Sequence, residues 1–269
     1  MNDHFPRRCY SMATVGVGIL AGWLAAIAQT RTPVLGGVTI EGQSAKLQVS
    51  DPRPLAEALY QLSKSFHWRI GFEEAELRYA GDLVDTTSPE YVSKDKNDRA
   101  FIPRGGSLDL RFSVSRETGQ PVDPIAVIRG LLTEHRARGY PGRYSFTAPA
   151  EKTGYYYVFP EQVANERGVF DKTNPVTRIR LSVAVSDGEK LIGVLQAVKL
   201  DVGKTAGKEV LYAGFGLPQA LVQPAPRQFV GVGDSFLVFL NKIASAQAVD
   251  FWQVLYDPTG RFYVLSFRK

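Results

Sequence analysis

Five carboxylates crowd one stretch of the chain: Glu73, Glu74, Glu76, Asp82 and Asp85. Two carboxyls facing each other across a cleft are what glycoside hydrolysis requires. Several carboxylate oxygens around one loop would suit calcium. A solvated polar face is the plain alternative. Asp95-Lys-Asn-Asp98 carries part of a calcium-loop pattern but not its glycine or its distal glutamate. Gly203-Lys204-Thr205 has the end of a phosphate loop, yet Val198 stands where its first glycine is needed. Gly231-Val-Gly233 before a helix could cradle an anion, but Asp234, read as that helix's cap, would fill the role. His67 and His135 each fall near the end of a helical pattern, where a histidine is electrostatically favourable. The chain has one cysteine, Cys9, so a disulfide framework and an all-cysteine zinc site are excluded. No Gly-x-Ser-x-Gly elbow marks a serine nucleophile. The residues thus name no catalytic, cofactor-binding or metal-ligating group. They do offer contact residues. Arg136, Arg138 and Arg143 surround Gly139-Tyr-Pro-Gly142 and could meet phosphate headgroups or an acidic partner, with salt-screened surface decoration as the plain alternative. Tyr155 and Tyr157 share one face of a strand, with Tyr156 on the other, so one set is core and the other could form a recognition strip.

The elements that position these residues follow from periodicity. Lys46–Val49 alternates as a strand, and Asp51-Pro52 reads as a helix start. Leu55, Leu59, Leu62 and Phe66 then form one helical face, and Trp68–Phe72 a second strand. Residues 78–105 are a long polar insertion. Leu108–Val114 is a strand, Asp123-Pro124 caps a helix bearing Ile125, Ile128 and Leu132, and Tyr144–Phe146 with Tyr155–Phe159 reads as a hairpin. The second half repeats the order. Arg178–Val185 is a strand, Asp187 precedes a helix with Leu191, Leu195 and Val198, and Glu209–Tyr212 is a strand. A proline-rich loop spans 217–227, with a strand expected near Phe229-Val230. Asp234 caps a helix with Phe236, Phe239, Leu240 and Ile243. Trp252–Tyr256 and Arg261–Phe267 flank the turn Asp257-Pro-Thr-Gly260.

The N-terminus carries Arg7 and Arg8, then an uncharged apolar run closing on Ala26-Ile-Ala28. This predicts an export signal over 1–28 that is cleaved, with an uncleaved membrane anchor as the alternative. It places the protein outside the cytoplasm, in a bacterial periplasm, with membrane contact only through the N-terminal segment if that segment stays uncleaved. Of 269 residues, 44% are hydrophobic and 22% charged, which supports a packed core. The 32 basic and 27 acidic residues leave +5, too mild for a nucleic-acid binder.

Leu47-Gln-Val-Ser-Asp-Pro-Arg-Pro-Leu-Ala-Glu-Ala-Leu-Tyr-Gln-Leu-Ser-Lys-Ser-Phe-His-Trp-Arg-Ile-Gly-Phe72 resembles the opening of the secretin and TonB short N-terminal domain. Gly106–Phe112 resembles the strand after that family's glycine turn, and Pro124–Arg136 its second helix. The resemblance covers about 45–160 and departs from the family at the 78–105 insertion. It implies a periplasmic docking or oligomerisation module and carries no catalytic residue.

The expectation is an α+β protein: a leader 1–28, a linker 29–44, and two related small domains at 45–160 and 175–269. Each would be a mixed or antiparallel sheet with two helices packed on it. Its expected role is non-enzymatic docking to an envelope protein. A periplasmic hydrolase or carbohydrate-acting enzyme using the 73–85 carboxylates, and a small-ligand binder with an interdomain cleft, stay open.

Overall fold

The computed structural model describes residues 36–88, 99–149, 154–183, 189–213 and 231–268. The expected leader, Asp95–Asp98, Asp187, the 217–227 loop and Phe229-Val230 lie outside them. In chain order the elements are β1 (Gly37–Glu41), β2 (Ser44–Asp51), α1 (Pro54–Phe66), β3 (Ile70–Glu73), β4 (Leu83–Asp85), β5 (Phe101–Pro103), β6 (Gly106–Ser113) and α2 (Pro124–Ala137). They continue with β7 (Arg143–Thr147), β8 (Tyr156–Ala164), β9 (Phe170–Lys172), α3 (Leu191–Ala206), β10 (Val210–Tyr212), α4 (Phe236–Ala246), β11 (Phe251–Asp257) and β12 (Phe262–Arg268). The class is α+β with mixed sheets. Among the described residues no helix is long and apolar enough to cross a membrane.

Local chemistry sets the helix ends. Pro54 opens α1, where its missing N–H costs nothing. Asp51, expected as the cap, instead accepts the backbone N–H of Arg53 at 2.7 Å, and the helix begins later. Asp123 caps α2 through the N–H of Ala126. Ser235, not Asp234, caps α4 through the N–H of Val238, because Asp234 is turned toward the Gly231 N–H and Lys242. Helices α1 and α3 both end on a left-handed residue, His67 and Gly207, from which the chain runs into a strand.

The larger sheet has the order β10-β12-β11-β3-β8-β7, with β9 beside the far end of β8. Two triplets in it are built alike. β3 runs parallel to β8, which pairs antiparallel with β7. β10 runs parallel to β12, which pairs antiparallel with β11. The triplets meet where β11 runs parallel to β3, from Phe251 opposite Ile70 to Val254 opposite Glu73. Residues 45–160 and 175–269 therefore share one sheet instead of holding one each. The reason is physical: a three-stranded piece has two open edges, and joining the triplets satisfies the backbone of one edge from each.

Alternation along the strands sends side chains to opposite faces. Ile70, Phe72, Val158 and Phe251 face α1, α2 and the smaller sheet β1-β2-β6. Tyr157, Trp252, Val254, Leu265 and Phe267 face α3 and α4. β1 forms within the expected linker by pairing antiparallel with β2. Of the expected strand 178–185, residues 184–185 lie outside the described residues, and the described part, 178–183, holds no strand: a 3-10 turn at Val176–Arg178 is followed by a bridge from Arg180 to Ser235. Its backbone bonds go to the approach to α4, through Leu181 N–H to Asp234 and Phe236 N–H to Ile179. The insertion holds the two-stranded β4–β5 pair, tied to the final turn by Phe101 N–H to Thr259 Oγ1 at 2.7 Å.

Candidate functional site: an arginine–aromatic cleft

The structure disperses the 73–85 carboxylates. Glu73 is buried and accepts from the N–H groups of Val176 and Thr177, at 2.6 and 3.1 Å, and from the hydroxyls of Thr177 and Tyr157. Burial raises its pKa even against those hydrogen bonds. Glu74, also buried, accepts from Arg53 Nε at 3.0 Å and from the N–H of Tyr256 at 2.9 Å. Burial outweighs Arg53 there as well, and the carboxyl sits above its ordinary value. Both residues therefore latch segments distant in sequence onto the sheet, Glu73 holding 176–177 and Glu74 holding Arg53 and Tyr256. Glu76 lines a polar groove of about 400 Å³ between residues 171–179 and the end of α3. Burial works against its charge, but hydrogen bonds from Arg78 and Lys208 bring its pKa below the usual range. Asp85 is exposed and bonded to the N–H of Thr87. Among the described residues no cluster of three or more His, Cys, Asp or Glu could hold a metal.

The histidines are structural in different ways. His67 is an exposed cap, 4.0 Å from Asp250. His135 is buried, its ring 5.5 Å from that of Tyr140 and 5.4 Å from that of Tyr144. Desolvation lowers its pKa to about 4, so it is neutral at physiological pH.

The expected contact residues divide. Tyr155 and Tyr157 are core, not a recognition strip. Tyr155 donates to the Val249 carbonyl at 2.6 Å, and Tyr157 stacks on Trp252 with its hydroxyl at Glu73. The face they share is the one covered by α3 and α4. Arg138 is tied to Glu134 at 2.7 Å and Asp109 at 3.3 Å. Arg136 and Arg143 do come together, in a cleft of about 330 Å³.

Four pieces of chain build this cleft. Tyr79 and Asp82 come from the start of the insertion, and Arg104 from its end. Arg136 and Tyr140 come from the last turn of α2 and the loop after it. Arg143 opens β7, and Phe170 opens β9. Gly142, at φ +79°, makes the turn between Tyr140 and β7. A Cβ there would lie 3.1 Å from that of Ala75, so the backbone conformation and the space both call for glycine. Arg104 donates to the Gly139 carbonyl at 2.9 Å. The Arg143 guanidinium lies 3.8 Å over the Phe170 ring and donates to Gln162. Arg136 is exposed, and its side chain has no bonding partner among the described residues. Asp82 is 6% exposed, with Oδ1 3.9 Å from Arg104 and no hydrogen-bond donor to Oδ2 among the described residues. Burial raises its pKa, with Arg104 opposing. The cleft thus sets three cations and three rings around one unsatisfied buried acceptor.

Tyr79, Asp82, Arg104 and Phe170 were not legible as members of this site. Asp82 stood out only as part of the acidic run, and the others lie far along the chain from Arg136. No family model, no curated protein and no solved structure matches the chain.

Proposed function

We propose that the protein is an exported, non-enzymatic docking module, and that its cleft takes an extended acidic segment of an envelope partner. The carrying observation is the cleft's composition: three arginines at its wall against a single carboxylate that lacks a donor. Acidic side chains would pair with Arg104, Arg136 and Arg143, and a backbone N–H would satisfy Asp82. Tyr79, Tyr140 and Phe170 would cover the segment's apolar parts. The carboxylates that an enzyme would need are engaged elsewhere, as latches or in ion pairs. The polar 78–105 insertion gains a role in this reading, since its two ends supply Tyr79, Asp82 and Arg104.

The test is fluorescence anisotropy of a labelled Asp/Glu-rich peptide containing one aromatic residue, titrated with the full chain. Binding should weaken with added salt and fall at least about tenfold in the Arg104→Glu, Arg136→Glu variant. Binding that the variant leaves unchanged would remove the cleft as the docking surface.

A further inference from the structure

We infer that the chain associates head to tail with further copies of itself, β7 of one copy pairing in parallel with β10 of the next. This goes beyond the cleft reading and rests on a different observation, the junction between β11 and β3 inside the chain. That junction joins the outer hairpin strand of one triplet to the first strand of the other. Among the described residues, the same two positions have no strand neighbour at the ends of the sheet. β7 is the counterpart of β11, and β10 the counterpart of β3.

The hydrogen-bonding groups are correctly aimed. Tyr156 N–H bonds to Arg69, so Tyr157 and Phe159 face β7, opposite Thr147 and Ser145. The N–H and C=O groups of Tyr144 and Phe146 therefore point outward. On β10, Ala213 N–H bonds to Leu265 and Tyr263 N–H to Glu209, which leaves Val210 and Tyr212 pointing outward. Among the described residues, no backbone partner meets either edge. The equivalent positions at the inner junction are those that do bond: Ile70 N–H to Asp250 and Glu74 N–H to Val254.

A side chain marks the same gap. Helix α1, which precedes β3, reaches across the inner junction through Tyr60, whose ring packs edge-on against Phe251 at 5.6 Å. Aligning His67 with Gly207 puts Leu200 of α3 in the place of Tyr60. Leu200 is 74% exposed, the most exposed large apolar residue among those described. Tyr212, on β10 itself, has a buried hydroxyl without a partner among the described residues.

The geometry fixes orientation and register. The inner junction turns one triplet over relative to the other, so that α1 and α2 lie on one face and α3 and α4 on the opposite face. A second such step restores the first orientation. Successive copies are then related along the sheet, in an open rather than a ring-closing contact. At the inner junction Gln253 lies opposite Phe72. Carried over through the pairings with β8 and β12, Ser145 lies opposite Tyr212 of the next copy. Both edges are short and β7 opens with an irregularity at Arg143/Tyr144, so the association is weak and concentration-dependent.

The experiment uses the full chain with Cys9→Ser, to which Ser145→Cys and Tyr212→Cys are added separately and together. Under mild oxidation, a mixture of the two single variants should cross-link between unlike chains, and the doubly substituted chain should form a ladder. Leu200→Glu, at an exposed position that should leave the thermal melt unchanged, should lower the cross-linked yield about tenfold. A monomer at every concentration, or cross-links formed by Ser145→Cys alone, would overturn the head-to-tail contact. Neither outcome touches the cleft, whose test uses Arg104 and Arg136.

Discussion

The two triplets of the large sheet share one pairing scheme but differ in what covers their first strands. β3 is flanked by β11, and Glu73 and Glu74 at its end hold residues 176–177 and Tyr256 in place. β10 ends the sheet, and Leu211 and Tyr212 occupy the places of Gly71 and Phe72. The inner junction is thus built from side chains chosen for one neighbour. The indole of Trp252 lies where a Cβ on residue 71 would be 2.1 Å from its Cζ2. Leu211 leaves no such seat. The difference teaches that topology alone makes an edge available, while a few residues decide whether the edge is permanently filled.

The sharpest way to break that comparison is to remove a latch. Glu73→Ala would strand the N–H groups of Val176 and Thr177 and two hydroxyls inside the protein. We expect a loss of about 4 kcal/mol, read by urea unfolding. An equilibrium change below about 1 kcal/mol would show that segment 176–177 is held by packing alone.

The histidine part of the pH dependence should also belong to one triplet. Every histidine of the chain precedes residue 136, and only His135 is buried among those described. Its pKa is lowered to about 4 in the folded chain, against about 6.5 unfolded. The unfolded chain therefore takes up a proton first as pH falls. The stability present above pH 6.5 is lost progressively down to about pH 4, by about 3 kcal/mol. His135→Phe should flatten that part of the curve. An unchanged slope would place the titration elsewhere.

Much of this architecture was legible in the sequence. Apolar spacing placed all four helices of the described residues, because each buries a continuous stripe such as Leu55, Leu59, Leu62 and Phe66. The turn Asp257-Pro-Thr-Gly260 carried its own chemistry, with Asp257 accepting from the N–H groups of Thr259 and Gly260. Strand pairing was harder to read. Nothing local in Ile70–Glu73 says that its neighbour is Phe251–Val254, since alternation names a face and not a partner. Segment 178–185 alternates like a strand in sequence, yet Ile179 and Leu181 spend their bonds on the approach to α4. The cleft was half legible: Arg136 and Arg143 are near in sequence, whereas Asp82, Arg104 and Phe170 arrive through tertiary folding.

A smaller effect tests the junction itself. Gly71→Ala drives a methyl group into the Trp252 indole, and we expect a cost of about 2 kcal/mol. Leu211→Ala, at the matching position of β10, removes a half-exposed side chain and should cost under about 1 kcal/mol. Equal costs would mean that the two first strands are seated alike.

The smallest effect compares the two helices that precede those strands. Tyr60 touches Phe251 and lies under the Arg268 guanidinium at 3.4 Å, so Tyr60→Ala removes a filled contact and should destabilise by about 2 kcal/mol. Leu200→Ala removes a side chain that lies mostly in water and should change monomer stability by less than about 0.5 kcal/mol. Measured in dilute solution, a cost at Leu200 approaching that at Tyr60 would mean that α3 already covers something within its own chain. A negligible cost leaves Leu200 to act only between chains, where burial of one leucine per contact is enough to make a short parallel edge selective without making it permanent.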